Sequence, residues 1–206
     1  MLTGEVDAAW GPPLICARVE DAGGHVALRA IRHGAVTYRS VLLIRKRDTM
    51  ELASLGNGTF RPRAVWVDAW SMGGYLLPRA HLRHSGIDPA TALLSEKMLG
   101  SYTACFDAVL DFEAELTASF VGKTDLEALW GDKMARLRAL AYSDEVPNDG
   151  VAISPTLAVD RRMALLDNLR RLLANERSHR VLCSVFTATD FDQPPANTYA
   201  PALQYL

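Results

Sequence analysis

Cysteine is scarce in this chain of 206 residues, and its spacing invites no pairing. Cys16, Cys105 and Cys183 are the three present. They are odd in number, far apart and nowhere form C-x-x-C, which excludes a disulfide framework and a cysteine-rich zinc site. Unpaired thiols point to a reducing compartment, so a cytoplasmic home is the expectation. Long apolar runs are missing too. No stretch approaches the roughly 18 consecutive apolar residues that a membrane span needs, so no membrane contact is expected. The N-terminus carries Glu5 and Asp7 where a secretory signal would carry positive charge.

What is there is the balance of a globular protein. With 49% hydrophobic and 22% charged residues, a chain of this length can bury about 70% of its unfolded surface without covalent staples. One domain over residues 1–206 is the expectation. The net charge of −2 conceals an asymmetry. Residues 1–100 hold 12 Lys/Arg against 9 Asp/Glu, a surplus of +3, and residues 101–206 hold 10 against 15, or −5. Such polarity marks a surface more than a fold.

Hydrophobic periodicity divides the chain. Residues 1–85 read as mostly β. Residues 14–19 are β-prone, Gly23-Gly24 and His33-Gly34 supply turns, and 25–31 and 36–45 complete an antiparallel meander. A short helical turn is expected over 48–55 and a fourth strand over 63–69. Residues 86–178 read as mostly α. Asp88-Pro89 starts a long stripe from Leu94 to Phe120, interrupted at Gly100. Thr124 and Glu127 have capping-box spacing for a second helix to about Tyr142. A third helix spans roughly 157–177, with Asp167 and Arg171 as a pair on its outer side. Residues 179–189 read as the final strand, and 190–206 as a polar tail whose end is apolar (Tyr199, Leu203, Tyr205, Leu206). The fold class expected is therefore α+β: a mainly antiparallel sheet of four to six strands, an N-terminal meander plus a late strand, packed against three main helices.

Few motifs carry chemistry. Gly122-Lys123-Thr124 copies the end of a Walker loop, but the glycine five residues earlier is replaced by Thr117. A helix stop followed by a cap accounts for it. His81 and His84 sit three apart, yet no carboxylate or thiol nearby completes a metal set, so neither a metal nor a cofactor is expected. The string Ala64-Val65-Trp66-Val67-Asp68-Ala69-Trp70-Ser71-Met72-Gly73-Gly74 resembles the nucleophile elbow of α/β-hydrolases. That resemblance implies Ser71 as nucleophile, the Met72 N–H as oxyanion donor, His179 as base, and Asp149 (or Asp144 or Asp160) as the orienting acid. Two features oppose it: Pro78 lies where a helix should continue, and the expected hairpins leave no parallel strands to mount the serine.

The broadest positive feature is a basic group: Arg29, Arg32, Arg39, Arg45, Lys46, Arg47, Arg61, Arg63, Arg79 and Arg83, with His33 among them. Aligned on a sheet face, such side chains meet phosphates or a partner protein. Because no nucleophile, base and orienter assemble beyond the Ser71 string, the reading is a non-enzymatic binding or accessory protein. It would act through a protein or nucleic-acid contact surface, its partner an unknown protein or a nucleic acid. A small serine hydrolase is the alternative.

Overall fold

The computed structural model describes residues 1–58 and 60–205; Leu206, read above as part of the apolar end, lies outside them. In chain order, β1 (Ala8–Gly11) is followed by α1 (Pro13–Asp21), β2 (His25–Ile31), β3 (Thr37–Arg45), α2 (Leu52–Gly56) and β4 (Arg63–Trp66). A π-helical turn, Met72–Leu76, runs directly into α3 (Leu77–His84). Then come α4 (Pro89–Ala92), β5 (Ser95–Met98), α5 (Tyr102–Leu110), β6 (Thr117–Val121) and α6 (Leu126–Trp130). A 3-10 segment, Gly131–Arg136, leads to β7 (Leu137–Pro147), β8 (Gly150–Ile153), α7 (Val159–Ala174), α8 (Glu176–Phe186), β9 (Asp190–Asp192) and a closing 3-10 turn, Ala200–Tyr205.

These elements gather into two compact units, Met1–Tyr38 with Val146–Leu206, and Arg39–Glu145. The chain crosses twice between them, inside β3 and inside β7, which neighbour each other in one sheet.

The first unit holds a four-stranded sheet in the order β1-β8-β2-β9. Its pairs are antiparallel, with Ala8 opposite Ile153 and Arg29 opposite Asp192. One core of this unit is built on Ala27, Leu28, Ala30, Ile153, Leu157 and Phe191, with Leu166, Leu169 and Phe186 from α7 and α8 packed against it. The second unit holds the order β6-β3-β7 and a parallel pair, β4 and β5. Parallel neighbours need a crossover, and α3 with α4 supplies it. Two cores flank β3, one around Val41, Leu43, Phe106 and Val109, the other around Leu42, Ile44, Trp66 and Leu82. The fold is thus a mixed one with antiparallel sheets, as an α+β reading requires.

Several expectations change. Residues 14–19 are helical, not extended: Pro13 opens α1, where its fixed φ and missing N–H suit the first turn, and burial of Leu14, Cys16, Ala17 and Val19 overrides β propensity. The meander does not form. The His33-Gly34 turn exists, with both residues at positive φ and an Arg32–Ala35 bridge, but β2 pairs with β8 and β9 while β3 pairs with β6 and neighbours β7. Turn chemistry is local, whereas a strand's partner is chosen by the core it closes.

The stripe over 88–120 breaks into α4, β5, α5 and β6. Gly100 and Phe112 bracket α5 with positive φ of 82° and 66°, conformations a continuous helix cannot hold. Gly131 at φ 74° likewise ends the second helix early, and β7 follows. Residues 179–186 continue in α8, so the late strand is only β9. The tail docks on its own unit: Tyr199, Ala202 and Tyr205 are buried, and the Tyr199 hydroxyl donates to the Asn148 carbonyl at 2.8 Å.

Candidate functional site

The end of β4 delivers the chain into a turn fixed by Asp68. Its carboxylate accepts from the Trp70 N–H at 2.8 Å and its carbonyl from the Ser71 N–H at 3.3 Å. Ser71 then caps the helix: its Oγ accepts from the Gly74 N–H at 3.2 Å, and its carbonyl accepts from both Tyr75 and Leu76 at 3.0 Å. The second of those bonds spans five residues, the mark of a π turn. That wider turn answers the objection raised by Pro78, which lies within the first two positions of α3. In the π pattern the acceptor for residue 78 is the Gly73 carbonyl, and that carbonyl accepts from the Ser40 hydroxyl at 2.6 Å. The string is therefore a strand-to-helix turn.

Two glycines let this turn pack closely. A Cβ on Gly73 would stand 2.9 Å from the Phe120 Cβ and 3.3 Å from the Tyr102 hydroxyl. One on Gly74 would stand 2.8 Å from both the Ser71 Oγ and a Val67 methyl. Buried Ser40, on β3, donates to the Gly73 carbonyl at 2.6 Å and ties the first helical turn to the sheet. Across the turn, Ser101 caps α5 through the Ala104 N–H. The next residue, Tyr102, sets its hydroxyl 3.4 Å from the Ser71 Oγ. The Tyr102 ring is held by Phe120 and Trp130 at centroid distances of 5.4 and 5.1 Å.

Among the described residues, the N–H groups of Met72 and Gly73 have no acceptor. They point along the positive end of a helix that runs on to His84, where partial charges of about half a unit accumulate. A half-buried serine hydroxyl and a tyrosine hydroxyl complete the set. All of these can donate a hydrogen bond, and none carries negative charge. Such a cradle suits an oxyanion.

The hydrolase residues do not all belong to one unit. Ser71 lies in the second unit, whereas His179 and Asp149 belong to the first. His179 Nε2 meets the Asp190 carboxylate at 3.0 Å and Cys183 Sγ at 3.6 Å. Asp149 accepts from Arg32 at 2.8 Å. Asp144 lies on β7 and Asp160 at the start of α7. On α3, burial pushes the His81 imidazole below its ordinary range; among the described residues no group of three or more acidic, His or Cys side chains is placed to hold a metal.

The basic group is dispersed and largely neutralised within the protein. Arg29 pairs with Asp192, Arg63 with Glu115 and Arg79 with Glu96. Buried Arg45 donates to the carbonyls of Val109 and Ala114, both at 2.7 Å. Arg61 donates to the Leu93 carbonyl at 2.8 Å. Arg39 lies over the Tyr142 ring and Arg47 over Phe112. Lys46 and Arg83 are exposed. Arg29 and Arg32 sit in a different unit from the others. Charges matched to carboxylates and carbonyls in this way offer little to a phosphate backbone.

Residues 1–199 match the family model described as ABC transporter, phosphonate, periplasmic substrate-binding protein, and the chain belongs to that family. No curated protein matches it. Solved structures share its fold. The Xanthomonas citri protein XAC2383 bound to ATP is 18% identical with a TM-score of 0.82, covering 98% of this chain and 78% of that one. A binding-protein component of an ABC phosphonate transporter from Pseudomonas aeruginosa is 21% identical with a TM-score of 0.73, covering 98% and 68%. PhnD1 from Prochlorococcus marinus in complex with methylphosphonate is 16% identical with a TM-score of 0.68, covering 98% and 78%.

Membership overturns several expectations. The chain is a ligand-binding component of transport, neither an accessory protein with a protein or nucleic-acid contact surface nor a serine hydrolase. The family is periplasmic, which corrects the cytoplasmic assignment. Its partners are a small molecule and a membrane transporter, which corrects both the unknown protein partner and the exclusion of a membrane. The inference from cysteine failed for a physical reason. Cys16 and Cys105 are fully buried, and burial pushes their thiols up to about 12 and about 11, so the fold and not the compartment protects them.

Sequence reasoning missed Ser40 and Tyr102. A signal for the second was present: Gly100 followed by Ser101 is a break and a cap, which would have placed Tyr102 at a helix start. Ser40 carries no comparable mark.

Proposed function

We propose that this chain captures a small phosphonate-class oxyanion at the Ser71 turn and presents it to the membrane component of an ABC importer. The observation that carries this reading is the pair of open N–H groups at Met72 and Gly73, flanked by the Ser71 and Tyr102 hydroxyls. Donors fixed in advance bind an anion without reorganising. The helix dipole adds favourable potential over the same turn. Support comes from the ligands of two fold relatives, methylphosphonate and ATP, which both present phosphorus-bound oxygens.

Isothermal titration of the full chain with methylphosphonate tests the reading. Binding is expected for the wild-type protein. Ser71→Ala should weaken it about tenfold or more, since a hydrogen bond to a charged group contributes roughly 1.5–3 kcal/mol. The same change removes a helix cap, at about 1 kcal/mol of stability, so circular dichroism must show the variant folded. Absence of binding by the wild type, or an unchanged affinity in folded Ser71→Ala, would overturn the proposal.

A further inference from the structure

Resting on the ligand reading just given, we infer that Trp70 is a specificity-determining residue, a stacking surface for a flat aromatic group carried by the bound oxyanion. Trp70 is 82% exposed, the most exposed of the large hydrophobic side chains, while Trp66, four residues earlier, is fully buried. The other tryptophans all have ring partners: Trp10 stacks on Phe186, Trp66 meets Tyr75, and Trp130 packs on Tyr102. Trp70 has none among the described residues.

Its position is not that of a loose loop tip. The Asp68 carboxylate holds the Trp70 N–H at 2.8 Å, and the Asp68 carbonyl holds the next N–H, that of Ser71. The indole is therefore mounted on the same fixed turn that aims the serine. One trans peptide, about 3.8 Å between Cα atoms, separates it from the capping residue. An oxyanion seated on the Met72 and Gly73 N–H groups carries its substituent away from the helix, and a substituent turned toward Trp70 finds an open aromatic face. Tryptophan suits this role because its ring is large and has only two torsions to immobilise. A methyl group gains little from that face. A phenyl ring or a nucleobase gains a stacking contact worth about 1–3 kcal/mol by alanine substitution, tolerant of ring identity. The ligand class is thus an aryl-bearing phosphonate or phosphate monoester.

Titration of the full chain with methylphosphonate, phenylphosphonate and phenyl phosphate separates the outcomes. The wild type should bind at least one phenyl ligand about tenfold more tightly than methylphosphonate, equivalent to about 1.4 kcal/mol. Trp70→Ala should remove most of that preference and leave methylphosphonate within about twofold, and Trp70→Phe should retain part of it. Methylphosphonate binding with no preference for a phenyl ligand, or with a preference that survives Trp70→Ala, overturns the stacking role and leaves the oxyanion site standing. No binding of any of the three overturns both. The residue is exposed, so loss of folding does not confuse the comparison.

Discussion

Gly73 shows how much of the site depends on an atom that is not there. Its backbone is not in the left-handed region; what demands glycine is the Phe120 Cβ, 2.9 Å from where a side chain would begin. Gly73→Ala must push the first helical turn away from β6, moving one of the two open N–H groups. Overpacking of this kind costs about 1–3 kcal/mol. Urea unfolding should therefore show reduced stability, and titration with methylphosphonate a weakened or lost response. A variant matching wild type in both measurements would contradict the close packing described here. The strand leading into this turn was legible in the sequence, but the helix that follows Ser71 was not, because Pro78 read as a breaker. Nor was the chemistry of the turn, because a serine capping a helix and a serine activated by histidine look alike until the neighbours are known. Here the neighbours are an amide N–H and the Tyr102 phenol.

Among elements, the C-terminal tail and α1 illustrate the same division. Composition marked residues 190–206 as polar with an apolar end. Tyr199 is fully buried, its N–H donates to Glu20 of α1 at 3.1 Å and its hydroxyl to Asn148. The tail is thus part of the first unit's core. Tyr199→Ala should destabilise the protein by about 3–5 kcal/mol, the usual range for truncating a buried aromatic. Tyr199→Phe should lose only about 1 kcal/mol, the net value of one hydrogen bond. Chemical denaturation of both variants checks this, and two shifts of equal size would rule out the docking. Strands β2, β3 and β4, helix α2 and most of α7 were readable from periodicity and breakers. Helix α1 and the series α4, β5, α5, β6 were not. Apolar spacings of three and four recur by coincidence, and positive φ at Phe112 leaves no trace in composition.

For the molecule as a whole, the expectation of one domain over 1–206 becomes a proposal about cooperativity. Each unit has its own core, yet β3 and β7 run through both, so fraying in one unit releases strands of the other. Cys16 in the first unit and Cys105 in the second are natural reporters, both fully buried. Only Cys183 should react with a thiol reagent in the native protein. Cys16 and Cys105 should then become reactive together along a denaturant series. Reactivity at well-separated denaturant concentrations would show two independent domains. The amino-acid sequence by itself determined where turns, caps and many elements fall, since those follow from backbone preference and side-chain spacing within a few residues. Only the tertiary structure decided which strands pair, which arginines are neutralised and what surrounds Ser71. Those outcomes depend on groups far apart along the chain, such as β2 with β8 and Ser71 with Tyr102, and burial, not local preference, selects among them.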